Sequence, residues 1–159
     1  MDLGVPDFRE EPLGWRHLSL VVEQGRLELL GRSRAQQQGY RAFAAELGRE
    51  WASTADFLLC AKLGLPHSLD EQGRKQAVRP ADLRLLRLLS NDFPYHFEAG
   101  IEHFVLWKCG PEPLTSDEIE EARQRMLEEG FAETLFYVNP PHLKSILDID
   151  NAHLIARRD

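Results

Sequence analysis

Apolar residues recur at helical spacing through the first sixty positions of the chain. They fall into three groups: Trp15, Leu18, Val21 and Val22; Tyr40, Phe43, Ala44 and Leu47; and Phe57, Leu58 and Leu63. An apolar residue at every third or fourth position gives a helix one face to bury. The pattern predicts three helices before Gly64. The segment from Trp51 to Thr54 either bends the third helix or divides it in two.

The middle of the chain is harder to assign. Residues 64–80 are polar and contain Pro66 and Gly73, so they predict an exposed loop, whose length suggests either a short internal helix or a mobile flap. In DLRLLRLLS, residues 82–90, leucine propensity favours a helix. The short length and the alternation of leucine with arginine leave a strand open.

The last third of the chain predicts strands around one helix. IEHFVLWKC, residues 101–109, is β-branched and aromatic, as is typical of a strand. The next stretch has a capping Thr115 or Ser116, acidic residues in its first turn and a terminal Gly130, which indicates a helix. TLFYVN and AHLIAR predict two more strands. The expected fold is α+β, with a helical N-terminal layer packed on a small antiparallel sheet.

Composition narrows the class of protein. The 159 residues are 43% hydrophobic, which fits a single domain over 1–159, with a helical lead-in (1–63), a loop (64–81) and an α+β part (82–159). The net charge is −7 and basic residues are interspersed with acids, so we expect no nucleic-acid partner. No apolar run approaches the roughly 20 residues of a membrane span. We therefore expect a soluble protein and no membrane partner.

Cysteine and histidine spacing adds further expectations. Cys60 and Cys109 form no CxxC pair, which fits a reduced, cytoplasmic protein. His17, His67 and His142 have no metal-ligand spacing, and the common dinucleotide, P-loop and zinc-protease motifs are absent from the sequence. We expect neither a metal nor a cofactor. The oligomeric state stays open.

Polar residues cluster at the predicted strand ends. They are Asn91 and Asp92, Glu102 and His103, and the group Asn139, His142, Lys144, Ser145, Asn151 and His153. If antiparallel strands bring them together, they supply the donors and the cation that hold a sugar or phosphate oxygen. Each also has an ordinary structural interpretation, as turn former, half-buried histidine or solvated lysine.

Several motifs resemble a known family. NDFPY followed by EHFVLW, then FYVNPPHLKSI and AHLIAR, together with LELLGRS at 27–33, resemble the N-acetylglucosamine-induced protein 1 family over nearly the whole chain. The order of elements in the second half is also similar to the histidine-triad superfamily. That resemblance implies a histidine-triad-like sheet in which residues 82–90 form a strand, and a pocket for a nucleotide phosphate.

The histidine-triad resemblance also implies roles for individual residues. His153 would act as nucleophile or general acid/base and His103 as its orienting partner. Asn139 and Ser145 would hold phosphate and sugar oxygens, with Asn91, Asp92, Lys144 and Asn151 as further ligand-binding groups. A complete triad needs histidine at both 151 and 153, which share a strand face. Asparagine at 151 cannot form a phosphohistidine intermediate, which puts transfer chemistry in question.

Two functions follow from the sequence. The first is a small protein that binds a nucleotide or phosphorylated sugar and, if catalytic, hydrolyses or transfers it. The second is a non-catalytic metabolite-binding or protein-interaction adaptor, which Asn151 favours. An assembly role in a larger biosynthetic complex is a third option that one chain leaves open.

Overall fold

The structure is a computed structural model that describes residues 9–141 and 149–158. Four α-helices and six strands follow one another along it. The helices are α1 (Trp15–Glu23), α2 (Arg34–Glu50), α3 (Thr54–Phe57) and α4 (Ser116–Glu128). The strands are β1 (His67–Leu69), β2 (Lys75–Ala77), β3 (Leu85–Ser90), β4 (Ile101–Cys109), β5 (Glu133–Tyr137) and β6 (Asp150–Arg157). A 3₁₀ turn, Leu27–Leu29, follows α1, and a π-helical turn, Leu58–Lys62, extends α3.

The main sheet contains four antiparallel strands in the order β3-β4-β6-β5. The last strand of the chain thus lies between β4 and β5 and pairs with both. His153 stands opposite Val105 on β4 and opposite Tyr137 on β5. Because side chains alternate across a strand, His153 shares one face of the sheet with Asn151 and Ile155.

Helices cover both faces of this sheet. Helix α4 packs Ile119 and Met126 against Ala152 and Leu154 on one face. On the opposite face, Leu18 of α1 packs with Tyr137 and Ile155. Full burial of a leucine or isoleucine contributes about 1.5–3 kcal/mol, and β6 supplies such residues to both layers. The predicted α+β class, with a helical N-terminal layer on an antiparallel sheet, is confirmed.

Local chemistry explains the helix boundaries. Thr115 accepts a hydrogen bond from the Glu118 backbone N–H while the Glu118 side chain accepts from the Thr115 N–H, a capping box that starts α4. Of the two predicted caps, Thr115 is therefore the one used. Trp51 to Thr54 separates α2 from α3, because the Ser53 side chain accepts from the Asp56 N–H and starts a new helix.

The predicted loop at 64–80 contains no short helix, because β1 and β2 form a hairpin there. The Asp70 side chain accepts from the N–H groups of Gln72 and Arg74, and Gly73 has a φ of +78°. These are the requirements of a tight turn, and they close the hairpin. Residues 85–90 form a strand, which settles the ambiguity at 82–90.

The loop between β3 and β4, residues 91–100, is joined to the N-terminal segment by backbone hydrogen bonds. The His96 N–H donates to the Gly31 carbonyl at 2.6 Å, and the His96 carbonyl accepts from the Leu13 N–H at 3.0 Å. These contacts hold the end of the NDFPY motif against the segments before α1 and α2. None of the helices in the described residues is long and apolar enough to cross a membrane.

Candidate functional site

A cleft of about 170 Å³ opens between the helical layer and the sheet face that carries His153. Such a volume is below the roughly 300–1,000 Å³ of pockets that enclose a drug-sized ligand. The cleft therefore suits a small ligand or one end of a larger one. Its lining includes Arg32, Tyr40, Phe43, Phe57, Lys62, Asn91, Asp92, Phe93, Tyr95, Trp107, Asn139, Asn151 and His153.

The structure brings most of the predicted site residues together. Five of them line the cleft: Asn91, Asp92, Asn139, Asn151 and His153. His103 is 5% exposed and contacts the His153 ring. The predicted ligand groups Lys144 and Ser145, and His142 beside them, lie outside the described residues.

The two histidines form a hydrogen-bonded pair. His103 Nε2 lies 2.8 Å from His153 Nδ1, and the Tyr95 backbone N–H donates to His103 Nδ1 at 3.2 Å. On the other side of His153, Nε2 lies 3.3 Å from Asn139 Nδ2. Burial, together with the neighbouring His153 and the Arg32 charge, holds the pKa of His103 well below its usual value of 6.5. His103 is therefore neutral at physiological pH.

Two tyrosines orient the His153 ring. The Tyr137 ring stacks on it with centroids 4.8 Å apart and planes at 5°, and the Tyr95 ring lies nearly parallel at 6.1 Å. Burial, and then the nearby Tyr95 hydroxyl, raise the pKa of Tyr137 well above its usual value. The Tyr137 hydroxyl is buried with the Tyr95 hydroxyl as a neighbour, and no hydrogen bond of standard geometry joins it to residues 9–141 or 149–158.

Arg32 places a positive charge at the cleft. Its Nε donates to the Phe93 carbonyl at 2.8 Å, and its guanidinium carbon lies 4.3 Å from the centroid of the Tyr40 ring. Arg32 is half-buried, and no carboxylate of the described residues forms an ion pair with it. Fixed by a carbonyl and an aromatic ring, the guanidinium can direct its remaining donors at an anion.

Three of the predicted ligand groups also have structural roles. Asn91 Oδ1 accepts from the Phe93 N–H at 2.9 Å, the turn interaction that its structural interpretation predicts. Asp92 forms an ion pair with Lys62, 2.6 Å from Nζ to Oδ2, and both line the cleft. Asn151 is 4% exposed and donates to the Ile149 carbonyl at 3.0 Å.

Sequence reasoning missed several residues that line the cleft. Arg32 lies in LELLGRS and Tyr95 in NDFPY, so both stood in recognised motifs without a role assigned to them. For Tyr40 and Phe43 the helical spacing predicts only an apolar helix face. Arg32 directly precedes the Ser33 cap of α2, and no local signal in the sequence marks it as a site residue. Within the described residues, no group of three or more His, Cys, Asp or Glu side chains could hold a metal ion.

Comparison with known proteins places the chain in a family. Residues 14–157 match the family described as "Protein of unknown function (DUF3605)". The chain belongs to this family. "Uncharacterized protein YPL067C" from Saccharomyces cerevisiae is 32% identical over 169 aligned positions, which cover 95% of this chain and 83% of that protein.

More distant relatives extend the comparison. "N-acetylglucosamine-induced protein 1" from Candida albicans is 23% identical and covers 92% of this chain and 69% of its own length, so the predicted resemblance is confirmed as a distant relationship. The solved structure titled "Crystal Structure of HTC1" superposes with a TM-score of 0.58 at 26% identity, covering 92% of this chain and 85% of that one. The histidine-triad resemblance finds no support in these comparisons and stays a prediction.

Proposed function

We propose that the cleft binds a small phosphorylated ligand, a nucleotide or a phosphorylated sugar, in the cytoplasm. The observation that carries the proposal is Arg32, a half-buried cation that lines the cleft without a carboxylate partner in the described residues. A half-buried charge loses part of its hydration, and a bound phosphate would compensate that loss. The planar guanidinium forms paired hydrogen bonds with phosphate oxygens.

The rest of the lining fits such a ligand. His153 and the amides of Asn139 and Asn151 supply polar atoms at one wall, while Phe43, Phe57 and Trp107 supply apolar surface. A few polar groups on a mainly apolar wall are the usual composition of a ligand site. The apolar surface can contact a base or the carbon face of a sugar ring.

The name of a relative adds one class of ligand to test. The Candida albicans protein is named for induction by N-acetylglucosamine, which is an amino sugar. We therefore include hexosamine phosphates beside mononucleotides and nucleotide sugars.

The test is a thermal-shift screen of the full chain against these compounds, with Arg32→Gln and Arg16→Gln as the matched pair. Arg16 is exposed on α1, away from the cleft lining. A ligand at about 100 times its dissociation constant stabilises the folded state by about 2.7 kcal/mol. We expect Arg32→Gln to weaken binding roughly 10- to 100-fold, because a charge-assisted hydrogen bond contributes about 1.5–3 kcal/mol. Arg16→Gln should bind as the unaltered protein does.

Failure of every phosphorylated compound to shift the melting temperature would overturn this proposal and favour the protein-interaction adaptor. Equal binding by the Arg32 and Arg16 variants would place the anion elsewhere.

A second candidate function is hydrolysis or transfer of the bound phosphate ester. The His103–His153 pair beside the cleft favours it, since a hydrogen-bonded histidine pair in which burial lowers the pKa of one ring is typical of acid–base sites. Incubation of each bound compound, followed by chromatography of the products, separates the two functions. Steady product formation that His153→Ala abolishes would establish catalysis; a ligand recovered unchanged would establish binding alone.

A further inference from the structure

We propose that the Tyr95 backbone amide, acting through His103, fixes His153 in the neutral tautomer that carries its proton on Nε2. Tyr95 and His103 are then positioning residues, and His153 presents an N–H donor toward the cleft. The inference deepens the proposed function, because it states which hydrogen-bonding group His153 offers to a ligand.

The proton positions follow from the hydrogen bond between the Tyr95 amide and His103. A backbone N–H can only donate, so His103 Nδ1, which lies 3.2 Å from the Tyr95 nitrogen, must present a lone pair. Neutral His103 then carries its proton on Nε2. That proton points at His153 Nδ1, 2.8 Å away, which must therefore accept. The remaining proton of neutral His153 lies on Nε2.

Every other arrangement of protons brings two donors face to face. A proton on His153 Nδ1 requires a lone pair on His103 Nε2, which moves the His103 proton to Nδ1, against the Tyr95 N–H. A doubly protonated His103 would also set its Nδ1–H against the Tyr95 N–H. Doubly protonated His153 sets its Nδ1–H against the Nε2–H of His103. Burial lowers the pKa of His103, which agrees with the single proton assigned to that ring.

Asn139 contributes the last group of this hydrogen-bond series, on the far side of His153. Its Nδ2 atom lies 3.3 Å from His153 Nε2, and half a turn of the side-chain amide exchanges Nδ2 for Oδ1. With Oδ1 toward the ring, Asn139 accepts from the Nε2–H. A ligand oxygen can accept the same hydrogen bond from the Nε2–H, whereas a ligand that offers only donors cannot. The tautomer also removes the Nε2 lone pair that a phosphohistidine intermediate would need.

The test is long-range ¹H–¹⁵N NMR of the full chain, which shows which nitrogen of each ring carries the proton. We expect Nε2–H for both His103 and His153, and a scalar coupling across the Nε2–H···Nδ1 hydrogen bond. A proton found on Nδ1 of either ring overturns the inference. This measurement needs no ligand and no variant.

Two variants test the positioning role of His103. His103→Gln keeps an N–H donor near the Nε2 position, and His103→Asn keeps an acceptor near Nδ1 for the Tyr95 N–H but cannot reach His153. We expect the Gln variant to preserve the His153 spectrum and the Asn variant to lose the hydrogen-bond shift at Nδ1 and populate the second tautomer. An unchanged His153 spectrum in the Asn variant would rule out the positioning role. If neither variant folds, the spectrum of the unaltered protein decides.

Titration with inorganic phosphate separates the two proposals. Movement of the His153 Nε2–H resonance supports both. If the tautomer is as inferred and phosphate moves no resonance of the cleft, the proposed phosphate site fails while the tautomer assignment stands.

Discussion

At the scale of single residues, the ring and the hydroxyl of Tyr137 contribute differently to the stability of the fold. Its ring stacks on His153, and its hydroxyl has no hydrogen-bond partner in the described part of the chain. A buried hydroxyl without a partner costs about 1–3 kcal/mol of folding free energy. The stacked ring holds the orientation of the imidazole and is the stabilising part of the residue.

We therefore expect Tyr137→Phe to leave the free energy of unfolding unchanged or to raise it by up to about 2 kcal/mol. The control, Tyr137→Leu, removes the stacking and should lower it. Urea unfolding monitored by fluorescence measures both. A loss of more than about 1 kcal/mol in the Phe variant would mean that the hydroxyl has a partner after all.

The residues of the site differ in how far the sequence could predict them. Asn151 and His153 share a face through simple strand alternation, and that prediction is confirmed. Arg32 reaches the site from another layer, 61 positions away from the carbonyl that it contacts. Nothing local in LELLGRS indicates that contact, because it depends on how the 91–100 loop packs against the N-terminal segment. Roles assigned to Lys144 and Ser145 stay predictions.

At the scale of elements, tertiary pairing outweighed local propensity where the two disagreed. Leucine favours a helix, yet residues 85–90 pair along their whole length with β4, from Leu85 opposite Cys109 to Ser90 opposite Phe104. The hairpin at 67–77 escaped prediction because its strands are only three residues each, too short for a periodic pattern. Strand β4 and helix α4 were predictable because their own residues carry the pattern and the caps.

Helix α4 offers a test at this scale. Thr115→Ala removes the capping box and should lower the free energy of unfolding by about 1 kcal/mol. Ser116→Ala changes the next residue, which accepts no capping hydrogen bond, and serves as the matched control. Thermal unfolding of the two variants compares them directly. Equal losses would show that the capping box does not stabilise α4.

At the scale of the whole molecule, the buried histidine makes stability depend on pH. The pKa of His103 in the folded protein lies well below 6.5. Just below pH 6.5, therefore, His103 binds a proton in the unfolded chain but not in the folded one. Above about pH 6.5 this histidine does not lower the free energy of unfolding. Below that pH the free energy of unfolding falls, by at most about 1.4 kcal/mol per pH unit.

Carboxylates act in a lower window. The pKa of Glu118 is lowered from 4.5, chiefly by Lys108, so its contribution is present above that value and is lost as the pH falls below it. Between pH 6.5 and 4.5, protonation of His103 should therefore dominate the difference in unfolding free energy between the unaltered protein and His103→Gln. We expect urea midpoints of the Gln variant to depend less on pH in that range. Parallel pH profiles would contradict the assignment.

The position of β6 between β4 and β5 fixes an order of events during synthesis. His103 and His153 are 50 positions apart, and neither β4 nor β5 has its central partner until residues 150–157 have left the ribosome. The β3–β4 pair depends on earlier, more local contacts and can form first, whereas α1 packs on Tyr137 and Ile155 of the later strands. Until β6 arrives, the nascent chain carries two unpaired strand edges that can join wrong partners. The cleft is therefore completed last, by the same strand that closes the sheet.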